Sequence, residues 1–338
     1  MTSRSKPSAG SNRLREIVSS FPKARVVVLG DLVADEFVYG EISRVSREAP
    51  VLILKHRERT ILPGGGANAI YNLADLGVKV LPVGVVGDDE AGRLLVERFR
   101  EKKVPTTGIV VAEGHTTVTK TRILAGMTHT SRQQVVRVDR EPEKALTSSI
   151  ESQLTRVARK FLEEANALLI SDYGYGAATP TLFDALRSNG LVNGMPVALD
   201  SRYRMLEYQG VTSATPNEPE VEEALNVKIS SDGQGLYEAG RELLSRMKLD
   251  SLVITRGRDG MVAFSRGKKP VEIPIHGSDQ VADVTGAGDT VIATFTAALA
   301  VGADSESAAR LANCAGGIVV MKRGTATVTR NELLAALE

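Results

Sequence analysis

Seven residues near the C-terminus, Asp283-Val-Thr-Gly-Ala-Gly-Asp289, carry the clearest chemistry in the chain. They run into an apolar stretch, 290–300, which reads as a buried helix with the glycine-rich turn at its N-terminus. The unpaired backbone N–H groups of a helix start, aligned with the helix dipole, attract an anion. Gly286 and Gly288 let the backbone approach a ligand closely and reach positive φ. Asp289 is then out of place, because a carboxylate repels what the turn attracts. One explanation is an N-cap, a position that Asp favours. The other is a general base: a carboxylate beside a phosphate site can take the proton from a hydroxyl attacking a phosphoryl group. A second signal, Pro63-Gly-Gly-Gly-Ala-Asn-Ala69, also opens a helix with glycines, and Asn68 adds a donor and an acceptor there. Taken alone, that loop is equally readable as a hinge.

Two such turns need a scaffold, and the chain supplies one by alternation. Short β-branched runs at 25–30, 78–86, 167–170, 196–200 and 251–255 are separated by helical patterns at 68–76, 89–103 and 149–165. This order predicts an α/β fold, a parallel sheet covered by helices on both faces. Two stretches, 37–62 and 116–139, interrupt it with strands that alternate apolar and polar residues, as a strand with one wet face does. They predict a small sheet standing over the main one as a lid. The expected organisation is a tail and first helix over 1–23, then a single domain over 24–338 with lid strands drawn from 36–62 and 108–139. Within the tail, residues 1–12 are expected to be unstructured.

Composition narrows the function. The 42 Lys and Arg against 41 Asp and Glu leave a net charge of +1, which argues against a nucleic-acid-binding surface. The absence of Trp and only 4% aromatic residues argue against base-stacking platforms. One cysteine, Cys314, allows no internal disulfide, and with four scattered histidines no Cys/His zinc site is expected. Cys314 and Met321 read as core. No apolar run is long enough for a signal peptide or a membrane span, so the expected location is cytoplasmic.

With both glycine-rich motifs in order, the chain from about residue 24 onward resembles the ribokinase/PfkB family of sugar kinases. The resemblance implies a ribokinase-like three-layer α/β/α sandwich with a small β-sheet lid, and an ATP-dependent kinase that uses Mg2+. Within the family, further phrases resemble the kinases that phosphorylate D-glycero-β-D-manno-heptose 7-phosphate at O1, giving the 1,7-bisphosphate. These are Gly30-Asp31…Asp35, Ser43-Arg-Val-Ser-Arg-Glu-Ala-Pro50, Ser131-Arg-Gln-Gln134, Ser171-Asp-Tyr173 and Thr215-Pro-Asn217. Three positions depart from that pattern. Tyr175 stands where a Lys is expected, Asp200-Ser-Arg-Tyr203 replaces Asp-Pro-Lys-Gly, and Arg47 replaces a Pro. Two lysines are therefore missing, with Arg202 a stand-in for one.

The resemblance also assigns roles. Asp289 looks like the catalytic base, and the backbone N–H groups of Thr285, Gly286, Ala287 and Gly288 resemble the anion hole for the transferring phosphoryl group. Asn217 and Glu220 resemble the element that orders magnesium and phosphate through water, although Glu220 also reads as a solvated carboxylate in the acidic run 218–223. Thr255, Arg256 and Gly257 resemble the loop at the outer phosphates, Asn313 a residue flanking adenine, and Asp283 part of a monovalent-cation loop suited to K+. Asp35, Gly65, Gly66 and Asn68 resemble sugar-hydroxyl positions, whereas Asp31 is expected to order a strand end. Arg44, Arg132 and Gln134 lie on lid segments and are expected to read a substrate phosphate, the bland reading of each Arg being a solvated strand face. An exposed lid edge further predicts a homodimer. Three other readings stay open: a ribokinase- or fructokinase-like kinase of a free sugar, a non-catalytic sugar- or nucleotide-binding regulator, and a nucleotidyltransferase fused to a kinase. Asp289 and the intact Gly-Ala-Gly speak against the regulator, and the chain's end soon after the kinase-like region sets the expectation of no second catalytic domain.

Overall fold

Val26 and Val28 face one side of their strand, Val27 and Leu29 face the other, and all four are buried. Such a strand lies inside a sheet covered on both faces. The computed structural model describes residues 9–126, 132–230, 233, 235–277 and 282–337. In chain order its strands are β1 (Arg25–Gly30), β2 (Leu32–Val45), β3 (Leu52–Gly65), β4 (Lys79–Gly87), β5 (Ile109–Ala112), β6 (Thr119–Gly126), β7 (Gln133–Arg140), β8 (Ala167–Asp172), β9 (Val197–Ser201), β10 (Ser213–Ala214), β11 (Ser251–Thr255), β12 (Met261–Ser265) and β13 (Val271–Ile273).

Nine of these form the main sheet, ordered β13-β12-β11-β10-β9-β8-β1-β4-β5. Val26 and Val28 pack into one core with Phe295, Leu311 and Ile70. Val27 and Leu29 pack into the other with Leu154, Phe183 and Leu243. The three-layer sandwich follows from that division. The helix Ala287–Ala300 is apolar on nearly every side and buried accordingly. Two of its threonines satisfy their hydroxyls within the helix, Thr294 donating to the Thr290 carbonyl at 2.8 Å and Thr296 to that of Ile292 at 2.7 Å.

β3, β2, β6 and β7 form the lid in that order. The β2–β6 pairing is parallel and aligns Asp35 with Lys120 and Phe37 with Arg122. β6–β7 is antiparallel and aligns Lys120 with Asp139 and Arg122 with Arg137. These residues therefore share one face of the lid.

Three expectations change. Residues 109–112, expected in the lid, form β5 at the edge of the main sheet, because they continue parallel to β4 from Gly84 to Gly87 and bury Ile109 and Ala112. The main sheet is not wholly parallel: β12 turns back antiparallel against β11, and β13 pairs antiparallel with β12. The first helix, Ala9–Ser20, takes in residues expected to be unstructured, since Leu14, Ile17 and Val18 dock on the core and the Ser11 hydroxyl donates to the Leu337 carbonyl. Tail residues 1–8, and Ser131 of the lid motif, lie outside the described residues. Among the described residues no helix is long and apolar enough to cross a membrane.

Candidate active site

Ligands of open α/β sheets bind beyond the carboxyl ends of the strands. There β1 and β8 meet the starts of two helices, Gly66–Asp75 and Ala287–Ala300. Gly286, at φ +77°, is the residue before the second helix, so Asp289 stands three positions in and caps nothing. The N-cap explanation is corrected: the Asp289 carboxylate points into the cleft. It is 4% exposed and accepts from Asn68 Nδ2 at 2.9 Å and from the Tyr173 hydroxyl at 2.8 Å. Burial pushes its pKa up to about 7, and the two hydrogen bonds hold it from rising further.

Asn68 is itself held. Asn72 Nδ2 donates to its backbone carbonyl at 3.0 Å and to its Oδ1 at 3.1 Å, and the Thr290 hydroxyl donates to Asn72 Oδ1 at 3.1 Å. This chain of polar contacts ties the two helix starts together. A Cβ on Gly286 would collide with the Asn68 amide, so that glycine serves close approach as well as positive φ. Tyr173 was legible only as part of a motif; its place just past β8 was the available signal for a role.

The turn offers fewer free amides than expected. Thr285 N–H donates to Asp283 Oδ1 at 2.9 Å, and Ala287 N–H donates to the Val284 carbonyl at 3.2 Å. Gly286 and Gly288 keep N–H groups with no protein partner among the described residues, and a Cβ on Gly288 would meet no atom within 4 Å. Thr285 and Ala287 therefore shape the turn rather than offer amides. Asp283 is spent on the same turn: its other oxygen accepts from Gly324 N–H at 3.0 Å. Burial works against its charge, but those backbone donors hold its pKa below the usual carboxylate range.

Two cavities meet at Thr255 and Gly288. One, of about 360 Å³, is lined mainly by polar groups, among them Asp200, Arg202, Asn217, Glu220 and Glu223. The other, of about 190 Å³, is an apolar slot between Met261, Ile275, Val284, Val291 and Val320, and it also brings in Gly257 and Asn313. Asn313 Nδ2 donates to the Pro274 carbonyl at 2.8 Å. Arg256 lines neither cavity and pairs with Glu218 at 2.7 Å. Asn217 and Glu220 form a reciprocal cap on the helix Glu218–Leu225, each side chain accepting from the other's N–H at 2.9 Å. Glu220 is therefore a fixed wall of the cavity, not a solvated surface carboxylate. Asp200, missed in the sequence, is pushed well above its ordinary pKa by burial and by Glu220 and Asp289 nearby. These oxygen donors suit magnesium. Among the described residues no cluster of three or more ligands could hold a metal alone, so phosphate and water would complete its shell.

On the other side of Asp289, Asp35 is 4% exposed, ion-paired with Arg122, and accepts from the Thr325 hydroxyl at 3.0 Å. Gly65 takes φ +53° beside Val33 and the Tyr173 ring. Gly66 gives its N–H to the Asp31 carbonyl at 3.0 Å, and a Cβ there would lie 2.9 Å from the same oxygen. Its glycine serves packing, not a sugar hydroxyl. Asp31 orders the strand end as expected, accepting from the N–H groups of Tyr173, Tyr175 and Ala177 at 2.8–2.9 Å. Burial raises its pKa to about 6.

The lid arginines are spread out. Arg44 lies nine residues beyond Asp35 on β2, roughly 25–30 Å away at about 3.3 Å per residue, and is exposed. Arg44 thus stands at the far end of the lid strand from Asp35. Arg132 stacks 5.3 Å from the Tyr39 ring, and Gln134 pairs with Leu124, which aligns with Tyr39. Both stand about 13 Å along the strand from Asp35. Of the departures, Tyr175 donates to Glu141 at 3.0 Å, and Arg202 lines the acidic cavity.

The pfkB family of carbohydrate kinases matches residues 23–332. The chain belongs to that family. Members of that family are carbohydrate kinases. The chain is 38% identical over 322 residues to Bifunctional protein HldE of Desulfatibacillum aliphaticivorans, covering 95% of this chain and 64% of that protein. It is 39% identical over 312 residues to Bifunctional protein HldE of Geobacter sulfurreducens, covering 92% and 62%. The chain thus spans less than two thirds of these relatives. Phosphofructokinase-2 from Escherichia coli, solved with substrates and products, superposes with a TM-score of 0.74 at 18% identity over 93% of this chain and 98% of that one. Arabidopsis thaliana ribokinase, solved with ribose and ATP, superposes at 0.70 and 20% identity, again over 93% and 98%. The fold is ribokinase-like.

Proposed function

We propose that this kinase phosphorylates D-glycero-β-D-manno-heptose 7-phosphate at O1, with Asp289 as the general base. The observation that carries the mechanism is the Asp289 carboxyl: buried, raised to about 7, and aimed by Asn68 and Tyr173 into the seam between the lid and the nucleotide-side cavities. A base with that pKa is half ionised near neutral pH and takes a proton efficiently there. The Gly286 and Gly288 amides lie on the same turn, where they would meet charge building on the transferring phosphoryl group. The apolar slot with Asn313 takes the adenine. Thr255 and Gly257 border the outer phosphates. Glu220, Asn217 and Asp200 orient water around the magnesium that accompanies them. Asp283 closes a loop able to hold K+ beside the anion hole. The heptose assignment rests on the motif phrases and on relatives named HldE.

The lid also supports a homodimer. Val136 and Val138, 46% and 53% exposed on edge strand β7, align with Ile123 and Thr121 on the face opposite Asp35 and Lys120. A second copy would cover that apolar edge.

ADP release from ATP tests the substrate, measured with heptose 7-phosphate, heptose, ribose, fructose and fructose 6-phosphate. The expected result is turnover highest on heptose 7-phosphate. Higher kcat/KM on ribose or fructose would replace this reading with the free-sugar kinase.

A further inference from the structure

Lys120 is a buried lysine without a counter-charge. It is 7% exposed, points inward from β6, and lies 5.1 Å from the Tyr173 ring and 5.8 Å from the Tyr175 ring. Its two acidic neighbours are already used. Asp35, beside it on β2, is ion-paired with Arg122, and Asp139, opposite it on β7, is paired with Arg137. No hydrogen bond or ion pair of the Lys120 ammonium exists among the described residues. Burying a charge without a partner is costly, and a ligand that brings the opposite charge would relieve that cost.

The ligand's position follows from the neighbours. Tyr173 donates to Asp289, so Lys120 stands above the base on the Asp35 side. The acidic cavity on the other side of Asp289 does not include Lys120 in its wall. The missing anion therefore belongs to the acceptor and not to the nucleotide. We propose that Lys120 is the specificity-determining residue that binds the phosphate carried by the acceptor sugar. This rests on the sugar-phosphate reading above and moves phosphate recognition from Arg44 to a residue level with Asp35. Burial lowers the Lys120 pKa, an effect that an acceptor phosphate would oppose.

The test compares wild type, Lys120→Met and Lys120→Arg on heptose 7-phosphate and on heptose. Lys120→Met should reduce the preference for the phosphorylated sugar by roughly 10–100-fold, the range of a charge-assisted hydrogen bond, chiefly through KM. Lys120→Arg should recover part of it. Lys120→Met should also melt at or above the wild-type temperature, because it removes an uncompensated buried charge; a merely structural lysine would lower it. An unchanged preference, with both sugars affected alike, overturns the proposal. If neither sugar is turned over, the heptose reading fails, and calorimetric binding of heptose 7-phosphate decides the rest. Affinity weakened 10–100-fold by Lys120→Met keeps the role of Lys120. Equal affinity, or no binding to either protein, ends it.

Discussion

The two walls of the cleft differ in charge and in how that charge is balanced. On the main-sheet wall, Asp200, Glu220 and Glu223 gather around one cavity with Arg202 as the cation among them. On the lid wall, Lys120, Arg122 and Arg137 face Asp35 and Asp139. An acidic wall repels a polyphosphate unless a divalent cation comes with it, whereas the lid wall attracts an anion directly. Asp289 lies at the seam: burial raises its pKa, Asp35 and Lys120 of the lid wall act on it in opposite directions, and its own charge helps to raise Asp200 on the main-sheet wall. On the function proposed above, the nucleotide and the acceptor would be met by opposite electrostatic means, with Asp289 where the two fields meet.

The largest effect should come from the seam itself. Asp289→Asn keeps shape and removes the base, so kcat should fall about 10²–10⁴-fold while ATP affinity changes little. Steady-state rates and nucleotide titration check this, and a variant keeping half its rate would remove Asp289 from the chemistry.

A smaller loss with a distinctive pH signature is expected from Tyr173→Phe. The Tyr173 hydroxyl favours the charged carboxylate, so its loss raises the Asp289 pKa above about 7. The base must be ionised to act, so the rising limb of kcat/KM against pH should move to higher pH. Rates at pH 9 should then recover relative to pH 7. An unmoved limb would show that Tyr173 does not tune the base.

Stability offers a cleaner view of the same group. Its folded pKa of about 7 lies above the ordinary 3.8, so the protonated form favours folding. Stability from this group is full below about 3.8 and lost as pH rises through 7. The melting temperature of Asp289→Asn relative to wild type should therefore increase between pH 4 and pH 7, and a flat difference would contradict the buried, raised carboxyl.

On the acidic wall, Asn217→Ala removes one half of the reciprocal cap and should cost about 1 kcal/mol, read from denaturant midpoints. On the lid, Arg44→Ala should alter kcat/KM on a sugar phosphate by less than about fivefold, the ceiling for an exposed charge worth under 1 kcal/mol. A larger loss would return Arg44 to the substrate and undo the asymmetry between the lid's near and far ends.

The sequence by itself determined the α/β alternation, the glycine-rich start of the last buried helix and the lid insertions. Each is encoded locally, in β-branched runs, turn glycines and two-residue alternation. Asp31 was readable for the same reason, as an acid at a strand end. Tertiary structure decided what contacts across long separations alone can show. Asp289 reads as an N-cap until Asn68, more than two hundred residues away, claims its carboxylate. Gly66 looks like a free amide until the Asp31 carbonyl occupies it. Lys120 is one polar residue of an alternating strand, and only the pairing of β2, β6 and β7 shows that arginines have taken both of its acids. Motifs specify which groups are present; the ladders and helix starts decide which of them keep a hydrogen bond or a charge for a ligand, because each donor and counter-ion satisfied within the fold is no longer available to anything else.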